Sequence, residues 1–126
     1  MGGALMKTKK EKLFRKYLDK WCNKTWLNLW RVSLFFLDQK EYQKETGNDE
    51  HYSLATCKSH WEYLEASIFV NRKILNNQPK SRIEYFVVHE LMHIFLAETR
   101  LSHEDLKHEE RIATLLARSF LLAVKP

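Results

Sequence analysis

Two different spacings of apolar residues along the chain outline an α+β fold. From Lys9 to about Trp26, apolar residues recur at helical spacing and predict an N-terminal helix. Leu29 to Leu37 alternates with a period of two, as a strand does, and two further strands are predicted at Tyr52 to Lys58 and within Trp61 to Asn71. A second helical period from about Glu104 to Val124 predicts a C-terminal helix, whose apolar face is Ile112, Leu115, Leu116, Ser119, Leu122 and Ala123.

Polar segments between these elements predict the connections. Residues 45–50 contain Gly47-Asn48 and read as a turn, and residues 76–79 read as a loop. Ser81 is predicted to cap a helix that begins at about Arg82, with Glu84 completing a capping box. Three strands in sequence favour an antiparallel meander, because consecutive strands are usually neighbours. We expect one domain over residues 1–126, with residues 1–6 as a frayed end.

The helix after Arg82 contains the sequence His89-Glu90-Leu91-Met92-His93, an H-E-x-x-H pattern. Residues four apart lie on the same face of a helix, so the two imidazoles can share one zinc ion. Zinc lowers the pKa of its water to about 7, and Glu90 is placed to act as general base on that water rather than as a ligand. The helix is otherwise apolar nearly all round, and polar groups inside such a helix are costly unless they are satisfied.

Composition limits the other classes of function. No apolar run approaches the ~20 residues that span a bilayer, and the N-terminus lacks the apolar segment of a secretory signal. Cys22 and Cys57 are far apart in no metal-ligand spacing and read as reduced thiols. These features favour a cytoplasmic protein without a membrane segment.

The positive charge is concentrated at one end of the chain. Residues 1–24 contain eight Lys or Arg and two acids, whereas the remaining residues contain thirteen Lys or Arg and fourteen acids. A basic stripe can bind nucleic acid, but amphipathic spacing alone explains this one. We therefore expect the basic residues of positions 7–24 to form a solvated helix face and do not expect a nucleic-acid partner.

A catalytic zinc site of this kind needs a third protein ligand and one open position. The downstream candidates are Glu98, His103, Glu104, Asp105, His108, Glu109 and Glu110. Glu110 is favoured because it shares a helix face with the small residues Ala113, Thr114 and Ala117, which allow two helices to approach closely. Glu109 lies about 100° away around the helix and is expected to point to solvent or to Arg111 and Lys107.

The two motifs together, His89 to His93 and then Glu110 to Ala117, resemble a minimal gluzincin of the ImmA/IrrE or minigluzincin type. The resemblance covers about Lys9 to Val124 and implies a zincin-like order of N-terminal helix, three-stranded sheet, active-site helix and C-terminal helix with a glutamate ligand. It implies one zinc ion per chain, held by His89, His93 and Glu110. The chain departs from the ImmA/IrrE pattern at Thr114, where that pattern has an asparagine, and at Leu116, where it has a phenylalanine.

The resemblance also implies how a substrate would bind. In gluzincins the strand beside the motif helix, here Trp61–Asn71, pairs with an extended peptide. The donor that would stabilise the oxyanion is not fixed by any pattern, and His103, His108 and Tyr85 are the candidates.

The predicted function is therefore a zinc-dependent metalloendopeptidase of narrow specificity, which hydrolyses a peptide bond of a protein or peptide substrate. An alternative is a zinc-containing regulatory module that contacts a repressor or a nucleic-acid-bound partner without cleavage. A third reading, a closed structural zinc site, requires a fourth protein ligand, for which His103 and His108 are the obvious residues. The presence of Glu90 favours the enzyme, because a structural site has no use for a general base.

Overall fold

The computed structural model describes residues 7–47, 54–97 and 106–124, and in these residues five α-helices and one three-stranded sheet form an α+β fold. In chain order the elements are α1 (Lys9–Lys24), β1 (Arg31–Leu37), α2 (Gln39–Thr46), β2 (Ala55–His60), β3 (Glu65–Asn71), α3 (Arg72–Asn76), α4 (Ile83–Leu96) and α5 (Leu106–Ala123). Short 3-10 turns lie at Trp26–Leu29, Trp61–Tyr63 and Lys80–Arg82. The predicted fold class is confirmed at this level.

The order of the strands differs from the predicted meander. The sheet runs β1-β3-β2, with β1 parallel to β3 and β2 antiparallel to β3. The prediction was wrong because β3, the most buried strand, takes the centre of the sheet, and β1 and β2 lie at its two edges. Strand β3 therefore has a partner on each side and cannot also pair with a substrate, so the expected substrate-binding role of Trp61–Asn71 is wrong as well.

The local patterns that predicted α1 and β3 are confirmed. Phe14, Leu18 and Trp21 of α1 are buried, and Leu13 and Tyr17 pack at the edge of the same core. In β3 the alternate residues Ala66, Ile68 and Val70 are buried. These side chains pack against the apolar residues of α4, the helix that contains His89 and His93. The core therefore lies between one face of the sheet and α4.

Two helices were not predicted, and both depend on caps more than on an apolar period. Asp38 caps α2 by accepting a hydrogen bond from the N–H of Glu41, and Gly47 ends it with a left-handed φ of 69°. A residue with a Cβ rarely adopts that conformation, which explains the glycine there. Asn71 caps α3 in the same manner as Asp38, through the N–H groups of Lys73 and Ile74.

The start of α4 also differs from the prediction. Ser81 lies in a 3-10 turn, and no side chain caps α4, whose N-cap residue is Arg82. Glu84 instead accepts hydrogen bonds from Lys20 and Trp21 of α1. The predicted capping box is therefore wrong, because a cross-helix partner competes for the same carboxylate.

The basic residues and the cysteines singled out in the sequence can now be placed in the fold. Most Lys and Arg side chains of α1 are exposed. Both cysteines lie in the described part of the chain, and no disulfide joins Cys22 to Cys57. None of the described helices has the length and apolar character needed to cross a membrane. That the basic face of residues 7–24 binds no nucleic acid stays a prediction.

Candidate metal centre

The two histidines of the motif project from one face of α4 toward the first turns of α5. His89 Nε2 lies 3.3 Å from His93 Nε2, and both rings are largely covered, with 15% and 12% of the side chains exposed. The helix buries most of its remaining side chains against the sheet and α1, which fixes the direction of this face.

Glu110 completes the cluster from α5. Its Oε1 lies 2.9 Å from His89 Nε2, and its Oε2 lies 3.3 Å from His93 Nε2. Metal–ligand bonds of about 2.0 Å in a tetrahedron place neighbouring ligand atoms about 3.3 Å apart, which is close to the separations found here. His89, His93 and Glu110 form a group that could hold a metal ion, with one ligand atom from each lying within 4.8 Å of the others.

Small side chains on α5 allow this approach. Ala113 and Ala117 are fully buried against α4, as the small-residue stripe predicted. The apolar face of α5 was predicted with the wrong rotation, however, since Leu115 and Leu122 are exposed. Leu115 and Leu122 are spaced i, i+7, so helical spacing alone does not distinguish their face from the alanine face. The small alanine side chains let α5 pack closer to α4, and for this reason the alanine face is the buried one.

The predicted orientation of Glu109 is also wrong. Only 7% of the residue is exposed, and its Oε1 lies 2.5 Å from Nδ1 of His93. The sequence carries a signal for this position, because Glu109, Ala113 and Ala117 are spaced i, i+4, i+8 and therefore follow the buried stripe. Glu110 lies at the border of that stripe, with 59% of its side chain exposed.

Glu90 lies on the buried side of the cluster, 8% exposed. Burial raises the pKa of this carboxyl above its ordinary value, although the charges of His93 and His89 act in the opposite direction. A carboxylate with a raised pKa is a better proton acceptor, which is the property that a general base needs.

Contacts within the cluster also shift the pKa values of His93 and Glu110. Burial by itself lowers the pKa of His93, but its hydrogen bonds to Glu110 and Glu109 and the charge of Glu90 raise it to about 9. Hydrogen bonds from His89 and His93 hold the pKa of Glu110 well below its usual range. A metal ion bound here would therefore displace a proton from His93, since a ligating imidazole is neutral.

Of the three candidates for an oxyanion donor, Tyr85 is the one whose side chain the structure describes. The Tyr85 ring lies beside His89, with 5.8 Å between the ring centroids, so it is close to the cluster. His103 and the side chain of His108 lie outside the described residues, and so do Glu98, Glu104 and Asp105. Among the described candidates for the third ligand, Glu110 is the residue that the structure brings to both histidines.

No protein-family model matches the sequence, and no curated protein matches it significantly. The geometry of the cluster and the chemistry of its residues are therefore what indicate a function.

Proposed function

We propose that the protein is a zinc-dependent metallopeptidase with a zincin-like active site. The observation that carries this proposal is the convergence of His89 Nε2, His93 Nε2 and the Glu110 carboxylate at distances that suit zinc. Two neutral imidazoles and one carboxylate are a ligand set of catalytic zinc sites, which retain an open position. The exposed Glu110 side chain leaves this side of the cluster accessible to solvent.

His89, His93 and Glu110 would hold the ion, which when bound supplies a water of lowered pKa and polarises a carbonyl group. Glu90 would accept the proton from the attacking water and pass it to the leaving amine, as a general base and then a general acid. Its burial supports this role, because a carboxyl with a raised pKa both takes and returns a proton readily. The hydroxyl of Tyr85 would donate to the oxyanion from its place beside His89.

An extended substrate would add to β2 rather than to β3. Within the described residues β2 pairs with β3 on one side only, and α4 packs against β2. Main-chain pairing supplies affinity to any extended peptide, and alternate side chains supply selectivity. For a peptide that the protein cleaves, N-methylation of successive backbone amides should raise KM at every second position. A peptide insensitive to all such methylations would contradict pairing with a strand.

The decisive experiment measures metal content and peptide cleavage on the same samples. By the single-site reading of the motif, plasma emission spectrometry should find about one zinc per chain in the wild type and much less in His93→Ala. In a peptide-library assay, Glu90→Gln should retain zinc and lose cleavage by about 100-fold or more, the scale of general-base catalysis. Glu41→Gln, an exposed glutamate of α2, is the matched control and should cleave as the wild type does.

The outcomes separate the enzyme from its alternative. Equal cleavage by Glu90→Gln and wild type would contradict the peptidase mechanism. A wild type that retains one zinc but cleaves no member of the library would favour the regulatory binding module. A protein that binds no zinc would exclude both.

A further inference from the structure

Glu109 is a buried carboxylate that the proposed chemistry does not use. It is one residue before Glu110, yet 7% of it is exposed, and it faces a different atom of the cluster. A charged group in such a place is costly unless it is paired. Its Oε1 is 2.5 Å from His93 Nδ1, the ring nitrogen that faces away from Glu110.

This contact determines how His93 is oriented. A carboxylate only accepts hydrogen bonds, so the shared proton belongs to Nδ1 of His93. In a neutral imidazole with a proton on Nδ1, the lone pair is on Nε2, the atom that lies beside His89 Nε2 and Glu110. Glu109 therefore selects the tautomer and the ring orientation that a cation requires.

His89 differs in this respect. Its Nδ1 is buried, and among the described residues it has no hydrogen-bond partner. The ring is positioned by α4 and by its contact with Tyr85. The two histidines of the motif are thus not equivalent, although the sequence pattern treats them alike.

We infer that Glu109 is a positioning residue, which holds His93 with Nε2 directed toward the metal ion and is not itself a ligand. The group of residues that converge on one point contains Glu110 and not Glu109, which agrees with this division of roles. The inference rests on the metal-binding part of the proposed function and does not depend on peptide cleavage.

The test uses the full chain loaded with Co2+ and compares Glu109→Ala with the nearly isosteric Glu109→Gln. Removing a carboxylate that orients a ligand commonly weakens metal binding by about 10- to 100-fold, so Glu109→Ala should bind Co2+ that much more weakly in competition with a chelator. Glu109→Gln keeps an acceptor oxygen and should recover much of the affinity. The exposed Glu41→Gln is the control and should bind as the wild type does.

Proton NMR of the cobalt-loaded proteins separates positioning from a general loss of stability. The wild type should show an imidazole N–H resonance of His93 that exchanges slowly with water because Glu109 holds the proton. This resonance should persist in Glu109→Gln and be lost to exchange in Glu109→Ala. Equal affinity and an unchanged resonance in Glu109→Ala would overturn the role of Glu109 alone, whereas a wild type that binds no Co2+ would overturn the metal site itself.

Discussion

The indole Nε1 of Trp21 donates a hydrogen bond of 2.7 Å to Oε2 of Glu84, and this bond joins the N-terminal helix to the first turn of the helix that carries both motif histidines. Lys20 Nζ contacts the same oxygen at 2.7 Å. Since α4 has no side-chain cap of its own, these bonds from α1 hold its beginning in place. The amphipathic face of α1 thus does more than cover the core, because it also fixes the element that presents the candidate site.

Removing this carboxylate should be costly. In Glu84→Ala the buried indole N–H loses its acceptor, and an unsatisfied buried donor costs about 1–3 kcal/mol of unfolding free energy. Glu84→Gln keeps an acceptor and should cost less. Urea denaturation measures both, with Asp19→Ala as the control, since Asp19 forms only an exposed ion pair with Arg15 on α1. A Glu84→Ala protein as stable as Asp19→Ala would contradict the structural role of the bond.

Glu11 should make stability depend on pH in the acid range. Burial alone would raise the pKa of this carboxyl, but hydrogen bonds from Arg72 and Asn76 and the charge of Arg72 hold the pKa below its ordinary value. The unfolded chain therefore binds a proton at a higher pH than the folded chain does, and stability is lost as the pH falls from about 4.5 through the folded pKa.

The variant Glu11→Gln tests this dependence. It should be less stable than the wild type at pH 7, because the guanidinium of Arg72 loses its charged partner. It should also lose less stability between pH 5 and pH 3. Denaturation midpoints measured across this range would show the difference as a shallower slope, and identical slopes for the two proteins would rule out a contribution from Glu11.

Close packing of α5 on α4 should be required for metal binding. Ala117 is fully buried in this contact, which leaves no space for a larger side chain. Ala117→Leu should therefore lower the free energy of unfolding by about 1–3 kcal/mol through overpacking. Because Glu110 is carried by the same helix, zinc affinity should fall as well. Ser119→Leu places the same side chain on an exposed position of α5 and is the control. Calorimetry and chelator competition measure the two effects, and a zinc affinity unchanged in Ala117→Leu would contradict the requirement.

The sequence predicted those parts of the fold that depend on local periodicity. The α1 face and the alternation in β3 are examples, since a residue's neighbours in sequence decide which side of such an element is apolar. The polar helix α2 was not predicted, because it buries Tyr42 and is defined by Asp38 and Gly47 at its ends. The position of β2 in the sheet depends on which strand becomes the central one. That choice depends on all three strands together, so the sequence of a single strand does not predict it.

In the candidate site, too, the sequence predicted what the spacing within one helix determines and not how that helix is rotated against its neighbour. The i, i+4 spacing of the motif indicates that His89 and His93 share a face, and the small residues after Glu110 indicate that α5 packs closely. The rotation of α5 was less certain from sequence, because Glu109 and Glu110 both lie near the alanine stripe. The structure places them on two different nitrogens of His93, so the helix contributes both acids to the cluster.

Loss of Glu110 should affect metal binding more than folding. Its side chain is 59% exposed but accepts hydrogen bonds from His89 and His93, so Glu110→Ala in the metal-free protein should lower the free energy of unfolding by about 1 kcal/mol, the scale of such bonds. In the wild type, zinc should raise the melting temperature and a chelator should reverse that rise, because binding to the folded state stabilises it. In Glu110→Ala two imidazoles remain, zinc affinity should fall steeply, and the chelator should have no effect on melting. Arg111→Ala, the exposed neighbour, is the control and should respond to zinc and chelator as the wild type does. If Glu110→Ala keeps the zinc-dependent rise in melting temperature, the third ligand is another residue, and the gluzincin-like interpretation of α5 fails.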